Sequence, residues 1–342
     1  MTLAPIDKAA RERGALGFVQ QLQSQYGLAP ETLQIASADA SFRRYFRVHA
    51  GSTSYIIMDA PPTHENCAPY LHVSQLFGAA GVHVPQIHAQ DLEQGFLLLE
   101  DLGQTMYLPQ LTQSSAPALY SAAFDALMKI QRASKPAELR PYNRERLINE
   151  MMLFPTWYLD KHLGRPASTD QMNVITAAFE TIAKAALAQS TVYVHRDFHS
   201  RNLMVTQQDS PGVIDFQDAL HGPITYDLVS LLRDAYIEWP EQQQIDWTIR
   251  YWEKARAAAL PVPQDFGEFW RDFELMGLQR HLKVLGIFAR LYHRDGKDGY
   301  LKDIPLVSRY TRAVLERYRV FLPLLKILDA AENYQRPTGY TF

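Results

Sequence analysis

Cysteine is almost absent: Cys67 is the only one in 342 residues. An intrachain disulfide and a cysteine-based zinc site are therefore excluded, and the usage fits a reducing compartment. There is no excess of positive charge. Thirty-four Lys and Arg stand against 37 Asp and Glu, a net charge of −3. That argues against a general nucleic-acid binder, which carries a strongly basic face or tail, and leaves room for a local basic site. No apolar run approaches the roughly 18 residues a spanning helix needs. Residues 1–14 lack the apolar stretch of a secretory signal. Repeats and low-complexity segments are missing too. These absences predict a cytoplasmic protein with no nucleic-acid, membrane or obligate protein partner. What is present is ordinary globular usage, 47% hydrophobic and 21% charged. At roughly 150 residues per domain the length suggests two lobes.

The first lobe reads as β-rich. Residues 6–26 carry apolar side chains at helical spacing, and Gly27 is placed to end that helix. Phe42 to Val48 and Tyr55 to Met58 read as two strands joined at Gly51-Ser52. A helix over 68–80 follows, then a short apolar strand, Phe96 to Leu99, that breaks at Glu100-Asp101-Leu102-Gly103. The lobe boundary is placed there, giving 1–102 and 103–342. Beyond it, Tyr120, Phe124, Leu127 and Met128 share a helical face. Residues 132–147 read as a connecting loop, and helix is expected through Trp157 and around 169–189. Three strand-sized pieces come next, 192–194, 203–205 and 213–214, and helix resumes from Thr225. The expected class is α+β, a small β-rich N-terminal lobe and a large, mostly helical C-terminal lobe.

The chemistry sits in Val194-His195-Arg196-Asp197-Phe198-His199-Ser200-Arg201-Asn202-Leu203. His-Arg-Asp is followed five residues after the Asp by Asn202, and thirteen residues later by Asp215. This is the phosphoryl-transfer layout of kinase-type enzymes. Asp197 is the candidate base for a substrate hydroxyl. Asn202 and Asp215 are the candidate Mg²⁺ ligands, since Mg²⁺ takes a few hard oxygens and keeps several waters. The spacing supplies the reason. Asp197 lies just past one strand, Asn202 just before the next, and a hairpin carries the chain on to Asp215. His195 is expected to buttress the loop.

The set resembles the aminoglycoside phosphotransferase and choline kinase group of the protein-kinase-like fold, over most of the chain. Gly222-Pro223-Ile224-Thr225-Tyr226-Asp227-Leu228 adds to the likeness. Asp227 falls in a first helical turn, where a carboxylate suits the dipole, and a loop-bracing role is expected. Ala40 to Arg47, Met58-Asp59-Ala60-Pro61-Pro62, Val213 to Asp218 and Leu278-Gln279-Arg280-His281 look most like one subgroup, the anomeric sugar kinases of bacterial cell-wall recycling. The resemblance implies a bilobal fold, ATP and Mg²⁺, and phosphorylation at C1 of N-acetylmuramate and N-acetylglucosamine. It also implies adenine docking at the backbone of Glu100 and Leu102. A kinase of another small alcohol, such as an aminoglycoside, choline or homoserine, is the alternative enzyme reading. A nucleotide-binding pseudokinase is the non-enzyme one. The segment after Asp215 reaches Gly222-Pro223 within eight residues, which leaves no room for a protein kinase's long activation loop.

The chain departs from the wider kinase pattern in two places. The loop Ser37 to Arg43 holds no glycine, and no lysine lies between Lys8 and Lys129. The usual strand lysine is therefore missing. Arg43, Arg44 and Arg47 cluster where a phosphate-binding cation is needed, and Arg suits bidentate phosphate contacts. Strand alternation puts Arg43 and Arg47 on one face and Arg44 on the other. Arg44 is favoured slightly over Arg43, with Ser41 as a donor from the loop. On the acceptor side, His199, Arg201 and Gln217 flank the motif. Arg233, Arg280 and His281 are helical residues that suit an N-acetyl sugar acid. The small net charge speaks against a polycationic antibiotic as acceptor.

Overall fold

The computed structural model describes residues 6–38 and 42–335. Along the chain the main elements begin with α1 (Lys8–Tyr26), β1 (Ala29–Ala38), β2 (Arg44–Ala50), β3 (Thr53–Asp59), α2 (Ala68–Ala79), β4 (Ile87–Asp91), β5 (Phe96–Glu100) and α3 (Ala116–Arg132). They continue with α4 (Arg144–Met151), a wide π-type helical segment (Phe154–His162), α5 (Thr169–Ala188), β6 (Thr191–Val194), β7 (Leu203–Met204), β8 (Gly212–Val213) and β9 (Leu220–Pro223). The last are α6 (Tyr226–Leu232), α7 (Glu241–Ala257), α8 (Phe266–Asp295), α9 (Ile304–Arg317) and α10 (Leu322–Glu332). The chain divides into two compact units, 1–129 with 201–218, and 130–200 with 219–342.

The first unit is built on an antiparallel sheet of order β1-β2-β3-β5-β4. Its register explains which side chains meet. Phe46 pairs with Ile57 and Ile57 with Leu98, so three apolar residues line up across three strands. With Val48 and Phe96 they form the face covered by Ala15, Phe18 and Val19 of α1. Each such buried side chain contributes roughly 1.5–3 kcal/mol. The helix starts on Asp7, whose carboxylate accepts the N–H of Ala10. It stops at Gly27, held at φ +65°, a left-handed conformation that glycine takes without strain. The opposite face carries Tyr45, Met58 and Leu97 in the same cross-strand row.

The helix over 68–80, the two central strands and the strand after Gly95 form as the sequence predicts. Strands β1 and β4 had no such signal. Both are register-shifted against their neighbours, and irregular strands of mixed polarity lose the period-2 pattern. The loop expected over 132–147 is shorter, because Asn143 caps α4 through the N–H of Arg146.

The second unit gathers helices around α8. That helix runs 30 residues and buries both Phe269, Leu278, Leu282 and Leu285 and the polar Glu274, Gln279, Arg280, His281 and Lys283. A buried polar side chain needs a partner, so α8 has to carry a polar network as well as a core. Strand β6 pairs with β9, which brings the loop after Val194 beside the start of α6. No helix among the described residues is long and apolar enough to cross a membrane.

Candidate active site

The loop carrying Asp197 belongs to the second unit and is held by its own backbone. The buried Asp227 carboxylate accepts the N–H of His195 at 2.7 Å and that of Arg196 at 2.9 Å. Arg196 has φ +80°, a strained value for a non-glycine residue. Its carbonyl accepts from Arg280 Nη1 at 2.7 Å and Ser230 Oγ at 3.3 Å, and its guanidinium pairs with Glu150. These contacts hold the strained turn. His195 is fully buried and its Nδ1 accepts the N–H of Asp197 at 3.2 Å, so it buttresses the loop as its position predicts. The far end of the loop is fixed where the Ser200 N–H donates to Asp234 at 3.0 Å. Burial pushes the pKa of Asp227 up to about 7, against the pull of those two backbone N–H groups and Arg280.

The Asp197 side chain remains 37% exposed. Partial burial pushes its pKa up. The charges of Lys283, Arg280, His199 and Arg196 outweigh that and hold the group well below the usual carboxylate range. Arg280 Nη1 lies 3.7 Å from Asp197 Oδ1. A carboxylate of this kind is ionised at every physiological pH.

The metal-ligand candidates belong to the first unit. Strands β7 and β8 pair through Leu203–Val213 and Met204–Gly212. The Ile214 N–H then donates to the carbonyl of Asn202 at 3.1 Å. This short ladder brings Asn202 Nδ2 to 3.3 Å from Asp215 Oδ2, and Gln217 Nε2 donates to Asp215 Oδ1 at 2.6 Å. Asp215 takes φ +63°, which turns its side chain back toward Asn202. Gln217 Oε1 is buried without a hydrogen-bond partner. One carboxylate and two amide oxygens within a few residues fit Mg²⁺, which prefers hard oxygen donors and retains waters. No group of three or more His, Cys, Asp or Glu gathers among the described residues, as suits a cation whose remaining ligands come from phosphates and water.

The arginines of the first unit part company. Arg44 lies on the face under α1. It donates to Asp59 at 2.9 Å and to Glu12 at 2.9 Å, and it stacks over Phe46. Asp59 is fully buried and also pairs with Arg11. Arg44 thus neutralises a buried carboxylate on the sheet's packed side, a role that strand spacing does not reveal. Arg43 forms an ion pair of 2.8 Å with Glu65. Its charge and that of Asp215 both act on the buried hydroxyl of Tyr70, whose ring lies 4.8 Å from Phe216. Of the two, Arg43 is the one that shares a neighbour, Tyr70, with Asp215. Arg47 is bound at 2.9 Å to Asp101 and at 3.1 Å to the carbonyl of Gly103. Ser41 lies outside the described residues. Glu100 ends β5, its N–H donating to Gln86 and its carboxylate approaching His83 at 3.3 Å. Leu102 is buried just beyond.

The acceptor candidates divide in the same way. His199 is half-buried against the ring of Tyr236 at 5.4 Å, and Arg201 is half-buried at the start of the β7 approach. Arg233, by contrast, is buried with Gln244 at 3.0 Å and Glu274 at 3.3 Å, over the rings of Trp270 and Phe273. His281 is buried, stacked on Tyr310 and in contact with the Arg233 carbonyl at 3.1 Å. Burial lowers its pKa to about 3, so it is neutral. Arg280 is spent on Asp197 and the Arg196 carbonyl. For these three the structure supplies protein partners where the sequence offered a sugar. Sequence reasoning passed over Glu150, Tyr226 and Lys283, which join Arg196 and Arg280 in one buried polar network. The only signal for Lys283 was its place one turn past Arg280 on the same helix.

Comparison with known proteins gives the family and the fold. The profile of the phosphotransferase enzyme family matches residues 32–261. An N-acetylmuramate/N-acetylglucosamine kinase of Neisseria meningitidis serogroup B is 49% identical over 327 residues, 94% of this chain and 97% of the relative. Among solved structures, the choline kinase LicA of Streptococcus pneumoniae superposes with a TM-score of 0.62 at 12% identity, covering 88% of this chain and 99% of that one. An ADP-bound aminoglycoside phosphotransferase gives 0.56 at 15% identity, covering 86% and 96%.

Proposed function

The chain belongs to the phosphotransferase enzyme family, and from that premise we propose that it transfers the γ-phosphoryl group of ATP to the anomeric C1 hydroxyl of N-acetylmuramate and N-acetylglucosamine. The protein is a kinase. The observation that carries the choice of acceptor is the 49% identity across 94% of the chain to a kinase of that name.

In the proposed reaction Asp197 takes the proton of the acceptor hydroxyl as its oxygen bonds to the γ-phosphorus, and the bond to ADP breaks. Asn202 and Asp215, with Gln217 beside them, hold Mg²⁺, which when bound neutralises charge on the phosphates. Arg43 takes the place of the missing lysine as the phosphate cation, with Ser41 as a loop donor. The backbone of Glu100 and Leu102 receives adenine. Nucleotide binding is assigned to the lobe 1–102 and the acceptor to 103–342. His199, Arg201 and Gln217 are the acceptor contacts, while Arg233, Arg280 and His281 serve inside the second unit through their protein partners. An anomeric hydroxyl is more acidic than an ordinary alcohol, so a weakly basic, firmly ionised carboxylate suffices. The setting is cytoplasmic, with an amino sugar as the only partner besides nucleotide and metal.

The test is a phosphorus NMR assay with Mg-ATP and a panel of N-acetylmuramate, N-acetylglucosamine, glucose, kanamycin, choline and homoserine. A sugar-1-phosphate signal from the first two is expected. In Asp197→Asn turnover drops by roughly 10²–10⁴-fold, the usual share of a general base, with ATP affinity nearly unchanged. Product from a different acceptor would discard the sugar assignment and keep the mechanism.

A further inference from the structure

Just past β5 the first unit turns at Asp101-Leu102-Gly103, and side chains of the sheet hold that turn. Register puts Arg47 of β2, Ile56 of β3 and Leu99 of β5 in one row on the face away from α1. Ser54 and Asp101 stand two residues along from Ile56 and Leu99, so alternation brings both to the same face. Arg47 Nε donates to Asp101 Oδ2 at 2.5 Å, and its Nη2 donates to Oδ1 at 2.9 Å. The same Nη2 donates to the Gly103 carbonyl at 3.1 Å. Ser54 Oγ donates to Asp101 Oδ2 at 2.6 Å, and the Gly103 N–H donates to Oδ1 at 2.9 Å. The pair is buried, with the Asp101 side chain only 4% exposed. These bonds end on Asp101 and Gly103 and pass over Leu102 between them. The Leu102 N–H and C=O make no hydrogen bond to any of the described residues. Its side chain is buried and seated on Gly212, where an added β-carbon would meet Leu102 Cδ1 at 2.7 Å. Gly103 takes φ +90°, a region that glycine enters and leaves with little cost. What fixes the turn is therefore the Arg47–Asp101 clamp, and what it leaves over is one backbone donor and one acceptor on Leu102.

We propose that Arg47 is a positioning residue for the nucleotide base: through Asp101 and Gly103 it fixes the Leu102 backbone pair, which reads the edge of adenine and selects ATP over a 6-oxopurine nucleotide. This rests on adenine docking at Glu100 and Leu102, as proposed above. Adenine offers an acceptor at N1 and a donor at its 6-amino group, the complement of one N–H and one C=O. Hypoxanthine offers an N–H at N1 and a carbonyl at C6. Each contact then sets donor against donor or acceptor against acceptor. Rejection of that kind requires a pair that holds still. A turn free to shift loses the adenine bonds and escapes the repulsion, so affinity falls for ATP more than for inosine triphosphate. The guanidinium fork suits the clamp because it spans both carboxylate oxygens and still reaches the Gly103 carbonyl. A lysine ammonium is a point charge and lacks that planar reach.

The experiment is titration calorimetry of Mg-ATP and of the magnesium complex of inosine triphosphate, without acceptor. The proteins are wild type, Arg47→Met, Arg47→Lys and Ser54→Ala, and thermal melts of each verify folding. Wild type is expected to bind ATP at least about tenfold more tightly, the worth of a hydrogen bond to the base. In Arg47→Met the preference should shrink to about threefold or less, through weaker ATP binding and little change for the inosine nucleotide. Arg47→Lys should fall between the two. With N-acetylglucosamine as acceptor, the KM for ATP should rise in Arg47→Met while kcat stays within about twofold, the pattern of lost uniform binding. If Arg47→Met does not fold, Arg47→Lys and Ser54→Ala carry the test, since both loosen Asp101 without stranding its charge. A folded Arg47→Met with the wild-type preference, or full preference in both milder variants, overturns the proposal and leaves the ion pair a contact of the fold. Failure of the underlying reading looks different: wild type itself would bind the two nucleotides alike, and the proposal would fall with it.

Discussion

Two adjacent arginines with the same chemistry acquire opposite duties from their position on a strand. Arg44 faces α1, where Asp59 has no exposure and relies on Arg44 and Arg11 for its charge balance. Arg43 is paired with Glu65 and shares the neighbourhood of Tyr70 with Asp215. Their substitutions should therefore separate cleanly. Arg43→Met is expected to lower kcat/KM for ATP by about 10- to 100-fold, the worth of one charge-assisted hydrogen bond at roughly 1.5–3 kcal/mol, with little change in melting temperature. Arg44→Met should do the reverse. It strands part of the charge of a buried carboxylate, at a cost of about 1–3 kcal/mol in denaturant unfolding, while ATP kinetics stay close to wild type. Equal losses of activity in both variants would return Arg44 to the nucleotide site.

At the scale of elements, α8 organises the second unit. It supplies apolar side chains to the core and cations to the loop, and it packs against the chain around Leu153. The closeness of that packing depends on Gly286. A β-carbon there would sit 2.4 Å from the carbonyl carbon of Leu153 and 2.5 Å from its oxygen, both backbone atoms that cannot step aside. Gly286→Ala is expected to destabilise the protein by about 1–3 kcal/mol through overpacking, read from chemical denaturation. Gly277 on the same helix is the control. Its added carbon would meet Val229 at 3.5 Å, an ordinary contact. Gly277→Ala should be neutral or stabilising, since alanine is the better helix former. Helix α6 makes the complementary point. Only seven residues long, it matters because Asp227 in its first turn gathers two N–H groups of the base-bearing loop.

At the scale of the molecule, nucleotide binding and folding should be linked through the metal. A ligand that binds only the native state at about 100 times its Kd adds roughly 2.7 kcal/mol. Mg-ATP is expected to raise the melting temperature. Chelation of the metal, or Asp215→Asn, should remove most of that increment while leaving the melt without nucleotide near the wild-type value. An equal rise with ATP in the presence of excess chelator would remove Asn202 and Asp215 from the metal.

The local order of this protein was written in its chain. The helix ending at Gly27, the strands joined at Gly51-Ser52 and the β7–β8 hairpin follow from turn residues and periodicity. The His195, Asp197, Asn202 and Asp215 spacing follows from a loop caught between two short strands. These are short-range effects, and neighbours in sequence suffice to specify them. What the chain did not disclose depends on distant partners. Arg44 reads like Arg43 until α1 brings Glu12 across and strand register sets Asp59 opposite. Arg233 and His281 look like ligand residues until Glu274, Gln244 and Tyr310 enclose them. Lys283 is one lysine in a long helix until Glu150, 133 positions earlier, and Tyr226 arrive to hold it. The duty of a charged side chain is set by which opposite charge lies within a few ångströms, and only the folded chain decides that distance.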